Sequence, residues 1–162
     1  MSATTQVVEF DGAFLQRGFW LYVWQVRVPD GRELLYVGRT GDSSSPNAQS
    51  PFNRMGQHLG FQRNSSMLRT HLGHREVDPQ LSRYRIVSHG PVLPEAASGE
   101  MSEHKVLRDH IAAIEHKLEA DLRTAGYDVM NTVRSKAVLD ESLYATVRAA
   151  FAGEFPGLHS VA

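Results

Sequence analysis

Residues 19–40 read FWLYVWQVRVPDGRELLYVGRT, and this stretch is the main indication of the fold class. Two runs rich in aromatic and β-branched residues, 19–28 and 33–39, flank the polar segment PDGR at 29–32. Runs of this composition are typical of β-strands, and Pro, Asp and Gly are residues that tight turns use. The stretch therefore predicts a β-hairpin, the first part of a small antiparallel sheet.

The composition fits one ordinary globular domain. A chain of 162 residues that is 41% hydrophobic has enough apolar side chains for one core. The 17 basic and 18 acidic residues nearly cancel, leaving a net charge of −1. Because phosphate contacts draw on Lys and Arg, a nucleic-acid-binding function depends here on a local arginine-rich surface.

The chain contains no cysteine, which excludes disulfides, thiolate metal sites and cysteine nucleophiles. No apolar run has the length of a membrane span, and residues 1–12 lack the basic start and apolar core of a signal peptide. We therefore expect a cytoplasmic protein with no membrane partner.

The rest of the chain predicts two short helices, a third strand, a long helix and a final helix. In that order the segments are 51–59, 65 or 66 to 72, 82–88, 101–124 and 140–151. We also expect an extra edge strand at 7–10 and a loose tail after Pro156. The fold class is thus α+β, with an N-terminal extension (1–18), a main domain (19–135), and a C-terminal helix and tail (136–162) packed on it.

The helix at 51–59 has two distinct faces. Phe52, Met55 and Leu59 share one face, which we expect to be buried. Arg54 and His58, four residues apart, share another face directed away from the core. This pair is either a solvated polar surface or part of a reactive site.

The helix at 101–124 carries an apolar stripe at helical spacing, formed by Leu107, Ile111, Ile114, Leu118 and Leu122. Glu115 lies on the shoulder of this stripe, whereas Glu119 lies much further round the helix. A carboxylate beside an apolar stripe is unusual, because burying a charge without a partner is costly.

The order of these elements and their residues resembles the GIY-YIG nuclease domain, a small antiparallel sheet flanked by helices. Trp20-Leu21-Tyr22 corresponds to the first motif, of which it keeps the tyrosine but neither the Gly nor the Ile. Tyr36-Val37-Gly38 matches the second motif closely, and Arg39-Thr40 follows it as is common in the family. The resemblance covers roughly residues 19 to 132.

Further landmarks of the family lie on the helices. Arg54 and His58 match its arginine and histidine on the first helix, one turn apart. Glu115 or Glu119 matches its glutamate on the long helix, each followed three residues later by leucine, and Asn131 matches its asparagine after that helix.

The resemblance implies a metal-dependent endonuclease that cuts DNA by direct attack of water on a phosphodiester. Glu115 would hold one Mg²⁺ or Mn²⁺ ion, with Glu119 as the alternative ligand; Mg²⁺ needs only one or two carboxylates. Arg54 would contact the scissile phosphate, since a guanidinium grips two oxygens at once.

Tyr22 is expected to act as base or to position the water, with Tyr36 and His58 assisting. A phenol has a pKa of about 10, so His58 competes for the role of base. Gly38, Arg39 and Asn131 belong to the substrate-binding side of the site. Arg39 is there either a second phosphate clamp or a structural arginine, and Asn131 is expected mainly to brace the sheet and the Glu115 region.

A second interpretation is a catalytically weak or inactive module that keeps the fold and binds nucleic acid or protein. The altered first motif and the balanced charge favour it, whereas the joint presence of the tyrosines, Arg54, His58, Glu115 and Asn131 favours the enzyme. For either interpretation the helix at 140–151 offers a surface for a homodimer, and a recruiting protein is another possible partner.

Overall fold

The computed structural model describes residues 3–42, 45–61 and 66–162. Within them it has an α+β architecture of one three-stranded antiparallel sheet and four α-helices. The elements are β1 (Phe19–Arg27), β2 (Glu33–Arg39), α1 (Pro51–Leu59), α2 (Met67–His74), β3 (Arg83–Leu93), α3 (Met101–Thr124) and α4 (Glu141–Ala152).

The sheet confirms the predicted hairpin. Its strand order is β2-β1-β3, so β1 lies at the centre, and Val23 pairs with Val37 on one side and with Val87 on the other. Eight of the nine residues of β1 are buried, which explains why this strand reads as an almost continuous apolar run.

The two faces of the sheet bury different helices, because successive side chains of a strand point to opposite faces. Phe19, Leu21, Val23, Leu35 and Val37 pack in one cluster with apolar residues of α3 and α4. Tyr22, Trp24, Val26, Leu34 and Tyr36 pack in a second cluster with Leu68 and Leu72 of α2.

A short extended segment after α3 lies beside β2. Val129 forms a parallel bridge with Leu35, whose amide donates to the Asp128 carbonyl at 2.8 Å. The Met130 amide donates to the Leu35 carbonyl, also at 2.8 Å. This pairing covers the outer edge of the sheet and brings Asn131 to β2.

Three predicted segments differ from the structure. Residues 7–10 form no strand, and their valines are exposed. The third strand runs beyond 88 to Leu93, through a register shift opposite residues 19–21. The tail is not loose, because a 3₁₀ helix (Pro156–Ser160) buries Leu158 and Arg148 binds the Leu158 carbonyl at 2.8 Å.

The two short helices begin close to the positions predicted from the sequence. Ser50 caps α1, its hydroxyl accepting from the Asn53 amide at 3.4 Å. The helix α2 begins after Ser66 and extends to His74; the alternative start at Ser65 lies outside the described residues. No helix in the described ranges has both the length and the apolar character needed to cross a membrane.

Candidate active site

Tyr22 lies across Gly38, because the β1–β2 register places these two residues opposite each other. A Cβ at position 38 would lie 2.4 Å from Tyr22 Cε2 and 2.7 Å from the phenol oxygen. Gly38 thus makes room for the aromatic ring. This packing role differs from the substrate contact expected from the sequence.

Tyr36 lies on the same sheet face as Tyr22, as its diagonal neighbour. The next register pair on this face joins Trp24 to Tyr36. Both tyrosines are buried, with Tyr22 only 1% exposed.

His58 packs between the two tyrosines. Its ring centroid lies 5.3 Å from that of Tyr22 and 5.1 Å from that of Tyr36, and its Nε2 is 2.5 Å from the Tyr22 hydroxyl oxygen. The imidazole is only 1% exposed. A hydrogen bond to a buried phenol is therefore what holds α1 to the sheet at this point.

The predicted orientation of α1 is confirmed only in part, because Met55 and Leu59 pack against the second cluster whereas Phe52 does not. Phe52, expected in the core, is 40% exposed and packs instead against Phe10, with 5.3 Å between ring centroids. His58 was expected on the face directed away from the core. It is buried instead, because it forms a hydrogen bond with a tyrosine hydroxyl of the sheet.

The Tyr22–His58 pair is uncharged at neutral pH. Burial first, and then the charge of Arg54, lowers the pKa of His58 to about 3. Burial raises the pKa of Tyr22 far above the usual phenol value, and Arg54 opposes this only in part. The expectation that His58 has a pKa suited to a base near pH 7 therefore fails in the protein alone.

The Tyr22 hydroxyl has a second neighbour, the Arg39 carbonyl, at 3.2 Å. A phenol has one proton, so it donates either to this carbonyl or to His58. When it donates to the carbonyl, the imidazole Nε2–H donates to the phenol oxygen. Both arrangements keep the hydroxyl fixed.

Arg54 lies beside this pair and binds an acid that the sequence did not single out. Its Nη2 is 3.1 Å from Asp42 Oδ2, and its Nη1 donates to Gln57 Oε1 at 2.8 Å. The Arg54 Nε is buried without a hydrogen-bond partner among the described residues.

Glu115 forms an ion pair with Arg39 on the other face of the sheet. The carboxylate side chain is 7% exposed and the arginine side chain 19%. Burial raises the pKa of Glu115 to about 7, although Arg39 pulls it down. The Arg39 Nε is also buried and without a partner in the described part of the chain.

The two groups meet around the end of β2. After burial, the charges of Glu115, Arg54 and Asp42 are the next influences on the pKa of Tyr36, which is raised. Asp42 also raises the pKa of Glu115, while binding Arg54 directly. The loop after β2 therefore connects the Tyr–His pair to the Glu–Arg pair.

Glu119 has a different environment from Glu115. It is 4% exposed, which contradicts its expected place far from the apolar stripe, and it pairs with Arg123 one turn later. Arg123 in turn donates to the Asn131 carbonyl at 2.8 Å. Glu119 thus anchors the segment after α3, whereas Glu115 is the glutamate placed near the tyrosines.

Asn131 uses both ends of its amide on β2. The Val37 amide donates to Asn131 Oδ1 at 2.9 Å, and Asn131 Nδ2 donates to the Val37 carbonyl at 2.7 Å. This arrangement is the bracing role expected from the sequence.

Oxygen ligands for a cation are few. The described residues contain no group of three or more His, Asp or Glu side chains arranged to hold a metal. Glu115 and Asp42 are hard oxygen donors that influence each other electrostatically. One or two carboxylates suffice for Mg²⁺, which keeps several waters and binds substrate phosphate, so this donor set fits that ion.

Two residues at the site were not singled out from the sequence. Asp42 follows Gly41 in a polar loop, where its only signal is its position directly after β2. His71 of α2 lies 5.6 Å from the Tyr36 ring, and nothing in the sequence links it to the hairpin.

Protein-family models, curated proteins and solved structures were all compared with this chain, and none matches it.

Proposed function

We propose that the protein is a metal-dependent DNA endonuclease of the GIY-YIG type, acting in the cytoplasm. The observation that supports this most strongly is the convergence of Tyr22, Tyr36, Arg54, His58 and Glu115 at one end of the sheet. Four different elements contribute these side chains. Stability alone gives little reason for such a group, because buried ion pairs contribute weakly to it.

Arg39 and Arg54 are suited to bind the scissile phosphate. Each guanidinium is permanently charged, and each has a buried Nε–H without a protein acceptor in the described ranges. Buried unpaired donors are uncommon in proteins, and a phosphate supplies the oxygens that they lack. Its binding would displace Asp42 and Glu115 from the arginines.

Glu115, with Asp42, would hold the divalent cation. When bound, the ion neutralises charge on the phosphate and favours ionisation of nearby oxygens. Release of Glu115 from Arg39 therefore frees a metal ligand and a phosphate-binding group in the same movement.

Tyr22 positions the attacking water, and its hydroxyl is held in place by the hydrogen bond to His58. Because burial and Arg54 lower the pKa of His58, the imidazole stays neutral and donates from Nε2–H to the phenol oxygen. The raised pKa of Tyr22 makes it a poor base on its own, so it takes the proton of the water only when positive charge at the site favours its phenolate.

The test is incubation of the purified protein with supercoiled plasmid. We expect nicked or linear DNA with Mg²⁺ or Mn²⁺ and none with EDTA. Arg54→Ala should remove the activity, while Arg75→Ala, which removes a surface arginine paired with Asp128, should leave it intact. If the protein binds DNA but nicks it with neither metal, the proposed endonuclease activity is refuted.

A non-catalytic binding module is the second candidate. Two observations favour it: Glu115 is already neutralised by Arg39, and Tyr22 is buried with a raised pKa. This candidate predicts DNA or protein binding without strand cleavage in the same assay.

A further inference from the structure

A cleft of about 520 Å³ opens beside the candidate site. Arg39 and Asp42 of the candidate site line this cleft, together with Arg108, Asp109 and Ala112 of α3. Residues 134–137, from the chain after Asn131, complete the lining. The cleft therefore begins where the proposed phosphate-binding arginine lies.

Two lining residues of the cleft lie on the same face of α3 as Glu115. Arg108, Ala112 and Glu115 are spaced by four and three residues, which places them on one face of the helix. Seven residues at 1.5 Å each put Arg108 about 10 Å along the helix from Glu115.

The charges along the cleft are mostly positive and weakly compensated. Arg134 and Lys136 are exposed and have no ion-pair partner among the described residues. Arg108 forms an ion pair with its neighbour Asp109, which also lines the cleft, at 3.3 Å. A chain of net charge −1 thus concentrates three weakly paired cations next to its candidate site.

We propose that this cleft binds the sugar–phosphate backbone of the DNA strand that is cut, with Arg108, Arg134 and Lys136 contacting its phosphates. The inference rests on the proposed endonuclease function and names the path of its substrate. Measured along the axis of a duplex, where each strand advances about 3.4 Å per nucleotide, a 10 Å span covers about three base-pair steps. Phosphate contacts fix position without reading sequence, so the cleft sets the register of the strand.

The test measures binding of a fluorescent DNA duplex in EDTA at several NaCl concentrations, so that no cleavage occurs. Each phosphate contact contributes about 0.9 to the slope of log K against log salt. Arg134→Ala/Lys136→Ala should therefore lower the slope by about two and weaken binding on the order of tenfold per side chain at 0.1 M salt.

The control is Arg27→Ala/Arg83→Ala, which removes two charges of the same kind from the far end of the sheet. Arg27 and Arg83 occupy opposite register positions on β1 and β3. Arg27 is five residues beyond Tyr22 along β1, or about 16 Å away at 3.3 Å per residue. The control should keep the wild-type slope. Equal slopes in the cleft variant and the wild type would overturn the proposal.

Two further outcomes separate this inference from the proposed function. If the wild type nicks plasmid and the cleft variant binds the duplex as tightly as the wild type, the cleft proposal is refuted and the endonuclease is retained. Cleft-dependent binding without any nicking would refute the endonuclease alone. Competition by polyglutamate as effective as that by DNA would overturn the cleft proposal in favour of an acidic protein partner.

Discussion

At the scale of single residues, Gly38 is required by the ring that covers it. We expect Gly38→Ala to lower the free energy of unfolding by about 1–3 kcal/mol, because the new methyl overlaps Tyr22 and must displace it. Urea denaturation measures this loss. Gly73→Ala, at an exposed helical position with no heavy atom within 4 Å, should instead stabilise by about 0.4–1 kcal/mol. Equal effects of the two substitutions would contradict the proposed packing.

Glu115 should make stability fall as the pH rises. Its pKa is about 7 in the folded protein, above the unfolded value of about 4.3, so the folded state binds the proton more tightly. The stabilisation is complete below pH 4.3 and is lost as the pH passes 7. Urea denaturation of the wild type and Glu115→Gln between pH 4 and 8 should show the wild type losing stability relative to the variant by up to about 4 kcal/mol. A difference that does not change with pH would contradict this environment for Glu115.

At the scale of elements, α1 is held to the sheet by the polar contact of His58 as well as by the apolar side chains Met55 and Leu59. We expect His58→Ala to destabilise the protein by about 2–4 kcal/mol, since it leaves a cavity and removes one of the two hydrogen-bond partners of a buried phenol. Phe52→Ala, at a 40% exposed position, should cost less than about 1.5 kcal/mol. If urea denaturation shows a larger loss for Phe52→Ala than for His58→Ala, the buried position of His58 and the exposed position of Phe52 are contradicted.

The segment after α3 is fastened to β2 by one side chain. Asn131→Ala removes both hydrogen bonds to Val37 and should cost about 1–3 kcal/mol. Hydrogen exchange should show faster exchange of the Val37 amide, while the Val23 amide in the central strand remains protected. Unchanged exchange at Val37 would exclude the bracing role.

At the scale of the whole molecule, local patterns predicted the elements, whereas distant partners decided the site. The hairpin and α3 follow from turn residues and helical spacing, which act over a few positions. The inward position of His58 depends on a phenol 36 residues away, and the contact of Arg54 with Asp42 depends on the loop after β2. Such contacts leave no periodic signal in either segment.

The same limit applies to the glutamates and to the ends of the chain. Helical spacing alone separated Glu115 from Glu119, yet both are buried, and what distinguishes them is their arginine partners. Leu158 is buried by the 3₁₀ helix that Arg148 holds, a contact that the sequence of the tail does not reveal.

The proposed cleavage mechanism requires Glu115, and not Glu119 one turn away, as the residue that serves the metal-dependent site. Plasmid nicking in Mg²⁺ by the wild type, Glu115→Gln and Glu119→Gln tests it most directly. The two glutamates lie on one helix and are similarly buried, and each pairs with an arginine of its own. Each substitution is therefore the control for the other. We predict that Glu115→Gln loses at least about a hundredfold in rate, as expected when a group that stabilises the transition state is removed, and that Glu119→Gln nicks at a rate near that of the wild type. Equal nicking by the wild type and Glu115→Gln would contradict the proposed site.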